Sequence, residues 1–146
     1  MTQFFSYGKS NDNWGTPKAL YEALDKEFHF DSDPNPINPE GLRENDGLGD
    51  WRGKTIWVNP PYSKPAPWIK NALRLTWLGK TTVMLLKSDT GTNWFHDYVL
   101  PHAEIRFIRQ RLSFNDTGNN APFASLIAIF RANCLSTPSQ ERSKEA

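Results

Sequence analysis

Residues 55–68, TIWVNPPYSKPAPW, constrain the fold most tightly. An apolar run from Thr55 to Val58 meets Asn59 and then two adjacent prolines. Proline has no backbone N–H for a strand ladder, so a strand here must stop at Asn59. Asn59 and Tyr62 are left on a stiff loop at the carboxyl end of that strand. The prolines narrow the backbone in advance, so little further ordering is lost on binding. An amide and a phenol held this way suit a seat for a planar group. The same residue types also occur in purely structural turns.

The surrounding segments predict an α/β domain. Thr16 is a good N-cap and Pro17 suits the first helical position. Leu20, Ala23, Leu24 and Phe28 follow at helical spacing, which predicts a helix over roughly 17–27. FHFDSD reads as a short strand ending in acidic residues. Residues 34–50, dense in Pro, Gly and Asn, read as a long loop, of a length that in a small domain is usually functional or mobile. A second helix is expected from Pro67, with Trp68, Ala72 and Leu75 on one stripe and Ile69 and Leu73 beside it. Lys70 and Arg74 point away, and Gly79 is a natural stop. TTVMLLK (81–87) is an unbroken apolar run, the pattern of a strand buried on both faces. A short helix is expected from about 92, a strand EIRFIRQRLSF over 104–114, a turn-rich loop NDTGNNAP, and a last apolar strand over 123–130. Strands alternating with helices argue for a largely parallel sheet. Such sheets bind ligands at the carboxyl ends of their strands, where FDSD and NPPY both fall.

Length and composition exclude several classes. At 146 residues the chain suits one domain, with the core expected over 14–132, a flexible N-terminus over 1–13 and a polar, disordered tail over 133–146. The net charge is +1, so any basic footprint for nucleic acid is local. Cys134 is the single cysteine, which fits a reducing cytoplasm. No apolar run approaches the ~20 residues of a membrane span, and MTQFFSYGKSND lacks a signal-peptide pattern. His29, His96, His102 and Cys134 show no metal-ligand spacing, so no metal is expected. Neither a Ser-His-Asp order nor a phosphate-cradling glycine loop is present.

The chemistry available at NPPY is that of a planar amine. An amino group conjugated with a ring is a poor nucleophile because its lone pair is delocalised. Hydrogen bonds accepted from both of its N–H groups favour a pyramidal nitrogen and expose the lone pair. Asn59 offers a side-chain carbonyl, Pro60 a backbone carbonyl on a rigid frame, and Tyr62 a ring face. Pro61 stiffens the seat.

NPPY at 59–62 resembles the catalytic motif of S-adenosylmethionine-dependent amino-methyltransferases. The wider pattern is more specific. WGTP (14–17), FDSDPNP (30–36), DGLGDWRG (46–53), WVNPPYS (57–63), NWF (93–95) and EIRFIRQRLSF (104–114) occur in that order. Together they resemble the small phage-type, Dam-like DNA N-6-adenine-methyltransferase family over about residues 13–131.

The resemblance implies a Rossmann-like methyltransferase, a mostly parallel sheet with a terminal antiparallel strand. It implies methyl transfer from S-adenosylmethionine to the exocyclic amine of an adenine flipped out of double-stranded DNA. Asn59, Pro60, Pro61 and Tyr62 become the amine-activating and base-stacking loop. A glycine-rich turn after the first strand is replaced here by FDSDPNP, which has no glycine. The cofactor contacts then expected are Trp14, Thr16, Pro17, Asp31, Asp33, Asn35 and Asp46. Thr16 and Pro17 open a helix suited to the methionine carboxylate, and the acids suit an ammonium or ribose hydroxyls. Arg106, Arg109, Arg111 and Asn119 are the candidate DNA contacts, Arg109 and Arg111 sharing one face of a regular strand. Trp57 and Trp68 read as packing. The family suggests protection of phage DNA from host restriction, in the host cytoplasm. Alternatives keep the scaffold: methylation of a protein glutamine amide or an RNA base amine, or a non-catalytic DNA-binding module. The oligomeric state is open.

Overall fold

The computed structural model describes residues 15–35, 48–113 and 120–133. Trp14, Asp46, Asn119 and Cys134 lie outside the described residues, as do segment 1–13, residues 36–47 of the long loop and the tail from 134.

Four strands form one sheet: β1 (Thr55–Val58), β2 (Thr81–Lys87), β3 (Glu104–Phe107) and β4 (Ser125–Phe130), in the order β1-β2-β4-β3. β1 and β2 pair in parallel, with Val58 opposite Met84. β4 runs antiparallel to both β2 and β3. Three strands therefore point the same way, and the last strand of the chain is wedged between two of them in reverse. The sheet is α/β and mixed rather than largely parallel in its pairing: one of its three strand pairs is parallel. The described part of the β3–β4 connection contains no helix, and a strand that returns without a crossover lies antiparallel. FHFDSD adds a single parallel bridge, Ser32 to Ile56, instead of a full strand. Its backbone is tied to β1 by the Asp31 N–H to Thr55 O and the Trp57 N–H to Ser32 O.

Helices cover both faces. α1 (Lys18–Phe28) starts after Pro17, whose ψ of 135° makes it the N-cap and not a helical residue. Leu24 is buried, and Leu20, Tyr21 and Phe28 pack with it against Trp57, Val83, Leu85, Ile127 and Ile129. α2 (Ala66–Thr76) buries Trp68, Ile69, Ala72 and Leu75, while Lys70 and Arg74 stay exposed. These side chains meet Ile56, Val58, Met84, Leu86 and Phe130 on the opposite face. Alternation along β2 thus sends Val83 and Leu85 to one layer and Met84 and Leu86 to the other. Each such side chain contributes about 1.5–3 kcal/mol on burial. Trp57 and Trp68 are packing residues as expected, Trp68 stacked on Trp51 at 5.8 Å. Gly79 (φ 82°) closes α2, with the Lys80 N–H returned to Leu75 O. The helix expected from 92 is mainly a π-helical turn, Phe95–Val99, that buries Phe95 and Val99 against the α2 layer.

β3 is shorter than the expected 104–114. It ends at Phe107, and Gln110 takes φ 67°, which breaks the extended run. Arg109 and Arg111 are therefore off the strand, and shared facing by alternation does not apply to them. No described helix is long and apolar enough to cross a membrane.

Candidate active site

Asn59 is the first residue beyond β1, at the carboxyl edge of the sheet, and only 3 % exposed. Two remote segments hold it. Its Nδ2 donates to Thr16 Oγ1 at 3.1 Å. Asn35 Nδ2 donates to its main-chain carbonyl at 3.0 Å. Asn35 is itself set by an Asx turn, its backbone N–H donating to Asp33 Oδ1 at 3.0 Å. The segments WGTP, FDSDPNP and NPPY thus meet on one residue. Thr16 does not cap α1, which has no side-chain cap. Its hydroxyl serves Asn59 instead, because Pro17 occupies the N-cap position.

Tyr62 is buried, its ring edge-to-face with Phe123 at 5.4 Å and 71°. Phe123 lies beneath Lys87 Nζ, 5.0 Å from the ring centre. A cavity of about 210 Å³ opens beside them, lined by Lys87, Ser88, Asp89, Phe123 and Ala124. Lys87 continues the alternation of Val83 and Leu85, so it lies on the α1 side with Tyr62. Neither Lys87 nor Phe123 stood out in the sequence. Lys87 was legible only as the polar end of an apolar strand, and Phe123 only as the start of another.

Asp31 lies apart from Asp33 and Asn35. Its carboxylate accepts backbone N–H bonds from Lys54 and Thr55, each at 3.1 Å. The Lys54 N–H foremost, with that of Thr55, holds the acid below the usual carboxylate range. This anchor is at the amino end of β1, opposite the Asn59 edge.

The Arg106 guanidinium, expected to meet phosphate, is engaged by carboxylates. It forms a bidentate pair with Glu27 at 2.7 and 2.8 Å and reaches Glu104 at 2.9 Å. Arg131 also holds Glu104, at 2.6 Å. Both guanidinium groups lie over Phe28, at 5.6 and 5.7 Å. The bond from Arg106 pulls the Glu27 carboxyl down, and those from Arg131 and Arg106 pull Glu104 down. Arg109 and Arg111 are exposed beyond the end of β3. Among the described residues no group of three His, Cys, Asp or Glu is placed to hold a metal.

A family model described as DNA N-6-adenine-methyltransferase (Dam) matches residues 6–133. A DNA N-6-adenine-methyltransferase of Haemophilus phage HP1 (strain HP1c1) is 35% identical over 143 residues, spanning 84% of this chain and 81% of the relative. Another, of Escherichia phage T1, is 30% identical over 117 residues, spanning 74% of this chain and 49% of the relative. No solved structure gives a significant match.

Proposed function

The chain belongs to the DNA N-6-adenine-methyltransferase family, and from that premise we propose how the carboxyl edge of its sheet carries the reaction. The enzyme methylates the N6 amine of adenine in DNA. The fold reading is a Rossmann-like methyltransferase domain over 14–132, supported by the parallel β1–α2–β2 unit and the reversed last strand. A phage or prophage source is in keeping with the relatives.

The methyl donor in this reading is S-adenosylmethionine, whose sulfonium supplies an electrophilic methyl carbon. The residues of the described edge fit it. Asp33 is an exposed carboxylate suited to an ammonium or ribose hydroxyls. The start of α1, with no side-chain cap, suits a carboxylate. Asn35 and Thr16 join these groups to Asn59. Asp31 is not needed, since it is spent on the Lys54–Thr55 turn.

A target adenine in double-stranded DNA must leave the stack, at a cost of a few kcal/mol. Stacking on Tyr62, beside Phe123, returns ~1–3 kcal/mol of that. The Asn59 side-chain oxygen and the Pro60 carbonyl each accept one N6 hydrogen. Held between these two acceptors the amine would be pyramidal with its lone pair exposed, would take the methyl that bound S-adenosylmethionine would supply as its sulfur departs, and would release one N6 proton to solvent. Pro60 and Pro61 hold the acceptors in place before the base arrives.

The observation that carries this reading is the convergence of three separated segments on Asn59. The test is transfer of labelled methyl to unmethylated DNA, with products digested to nucleosides. Label is expected in N6-methyladenine, and Asn59→Ala is expected to lower the rate by about 10²-fold or more. Parallel samples hold RNA and protein extract; label there and not in DNA overturns the substrate.

A further inference from the structure

Asn59 differs from an aspartate in one respect that matters here. A carboxylate has two equivalent oxygens. An amide has an acceptor at one end and a donor at the other, and a half-turn exchanges them. With the oxygen toward the substrate, Asn59 accepts from the adenine amine. With the half-turn, its N–H2 meets another N–H2, and two donors make no bond. Asn59 is 3 % exposed, so water does little to sort the two ends.

Thr16 meets the amide at its nitrogen end. Its Oγ1 accepts from Asn59 Nδ2 at 3.1 Å across 43 residues of sequence. The hydroxyl could also donate to a half-turned amide, but that arrangement sets the Asn59 N–H2 against the adenine N–H2; the arrangement in which Thr16 accepts is the one that gives every donor an acceptor. From the other side, Asn35 Nδ2 pins the Asn59 carbonyl at 3.0 Å, so the backbone cannot rotate to compensate. With Pro17 at the N-cap position, the Thr16 hydroxyl makes no helix cap and is available to Asn59.

We propose that Thr16 is a positioning residue for methyl transfer: it fixes the Asn59 amide with its oxygen toward the adenine amine. This rests on the NPPY reading above. It reassigns Thr16 from cofactor contact to orientation of the catalytic amide.

The test compares Thr16→Val, which keeps the shape and removes the acceptor, with Thr16→Ser, which restores it. Saturating kcat is measured on DNA, and cofactor Kd separately by calorimetry. Thr16→Val is expected to lower kcat by about 10- to 100-fold with cofactor Kd and melting temperature little changed, and Thr16→Ser to recover most of it. The same Thr16→Val change is then made on Asn59→Asp. With two equivalent oxygens there is nothing to orient, so it should cost less than about threefold. Thr16→Ala replaces Thr16→Val if the latter does not fold, and the Val–Ser pair decides alone if Asn59→Asp is too slow to compare. A rise in cofactor Kd with unchanged saturating kcat overturns the proposal in favour of a cofactor contact. An equal loss in both backgrounds reduces Thr16 to a packing role. Absence of transfer by the unchanged protein strikes the NPPY reading itself and this inference with it. Transfer by the unchanged protein with an indifferent Thr16→Val strikes this inference alone.

Discussion

At Gly53 the backbone is left-handed, with φ 78°, and a Cβ there would stand 2.2 Å from Asp31 Oδ1. The side chain and the backbone N–H groups compete for one place, and the N–H groups hold it. An L-residue costs about 1–2 kcal/mol for the left-handed backbone alone. The clash then pushes the carboxylate off the Lys54 and Thr55 N–H groups. Gly53→Ala is therefore expected to lower the denaturant midpoint. It should leave the methylation rate of the folded enzyme unchanged, because this anchor is at the amino end of β1. Denaturant titration and a rate assay on the same sample check both halves. A lost rate with an unchanged midpoint would return Asp31 to the active site.

α1 is fastened to β3 and β4 by the Glu27–Arg106–Glu104–Arg131 cluster over Phe28. These side chains are 37–56% exposed, so each pair is screened by water and individually weak. Their pH dependence has a definite sign. Folding lowers the pKa values of Glu27 and Glu104. Their contribution is complete above the unfolded glutamate value of about 4.3 and is lost as pH falls through the lower folded values. Thermal melts should therefore show stability falling below about pH 4.3, and Glu104→Gln should flatten that fall. The elements themselves were legible where a pattern ran long. β2, a seven-residue run buried along its middle, and α2, an eleven-residue helix with one buried stripe, were placed nearly to their ends. β3 was overextended because the break at Gln110 uses a positive φ without a glycine to mark it. The direction of β4 was not legible in its apolar run, which records burial on both faces and says nothing of orientation; the antiparallel terminal strand was implied by the family resemblance alone, and β4 is antiparallel.

Across the whole molecule, the NPPY loop was legible because prolines dictate where a strand stops. The partners that complete it were not. Thr16 before a proline reads as a helix cap, and its bond to Asn59 depends on a contact 43 residues away. Lys87 and Phe123 join Tyr62 only through the strand order β1-β2-β4-β3. The same topology sorts the charges. Formal charge is only +1, and Arg74, Arg106 and Arg131 are held by Asp50, Glu27 and Glu104. Arg109 and Arg111 have no ion pair among the described residues. They follow the end of β3, which points the same way as β1, so they leave the sheet at the Asn59 edge. On the proposed reading, DNA that reaches Asn59 would meet these two arginines rather than Arg106. Each phosphate neutralised contributes about 0.9 to the slope of log affinity against log salt. Arg109→Met and Arg111→Met are each expected to reduce that slope by about this amount. Arg106→Met should leave the slope unchanged and lower the melting temperature instead, since it cuts α1 from β3. Fluorescence anisotropy on duplex DNA over a range of salt concentrations measures the slopes. A slope that responds to Arg106 and ignores both other arginines would place the DNA on a different face of the sheet from the one that carries Asn59.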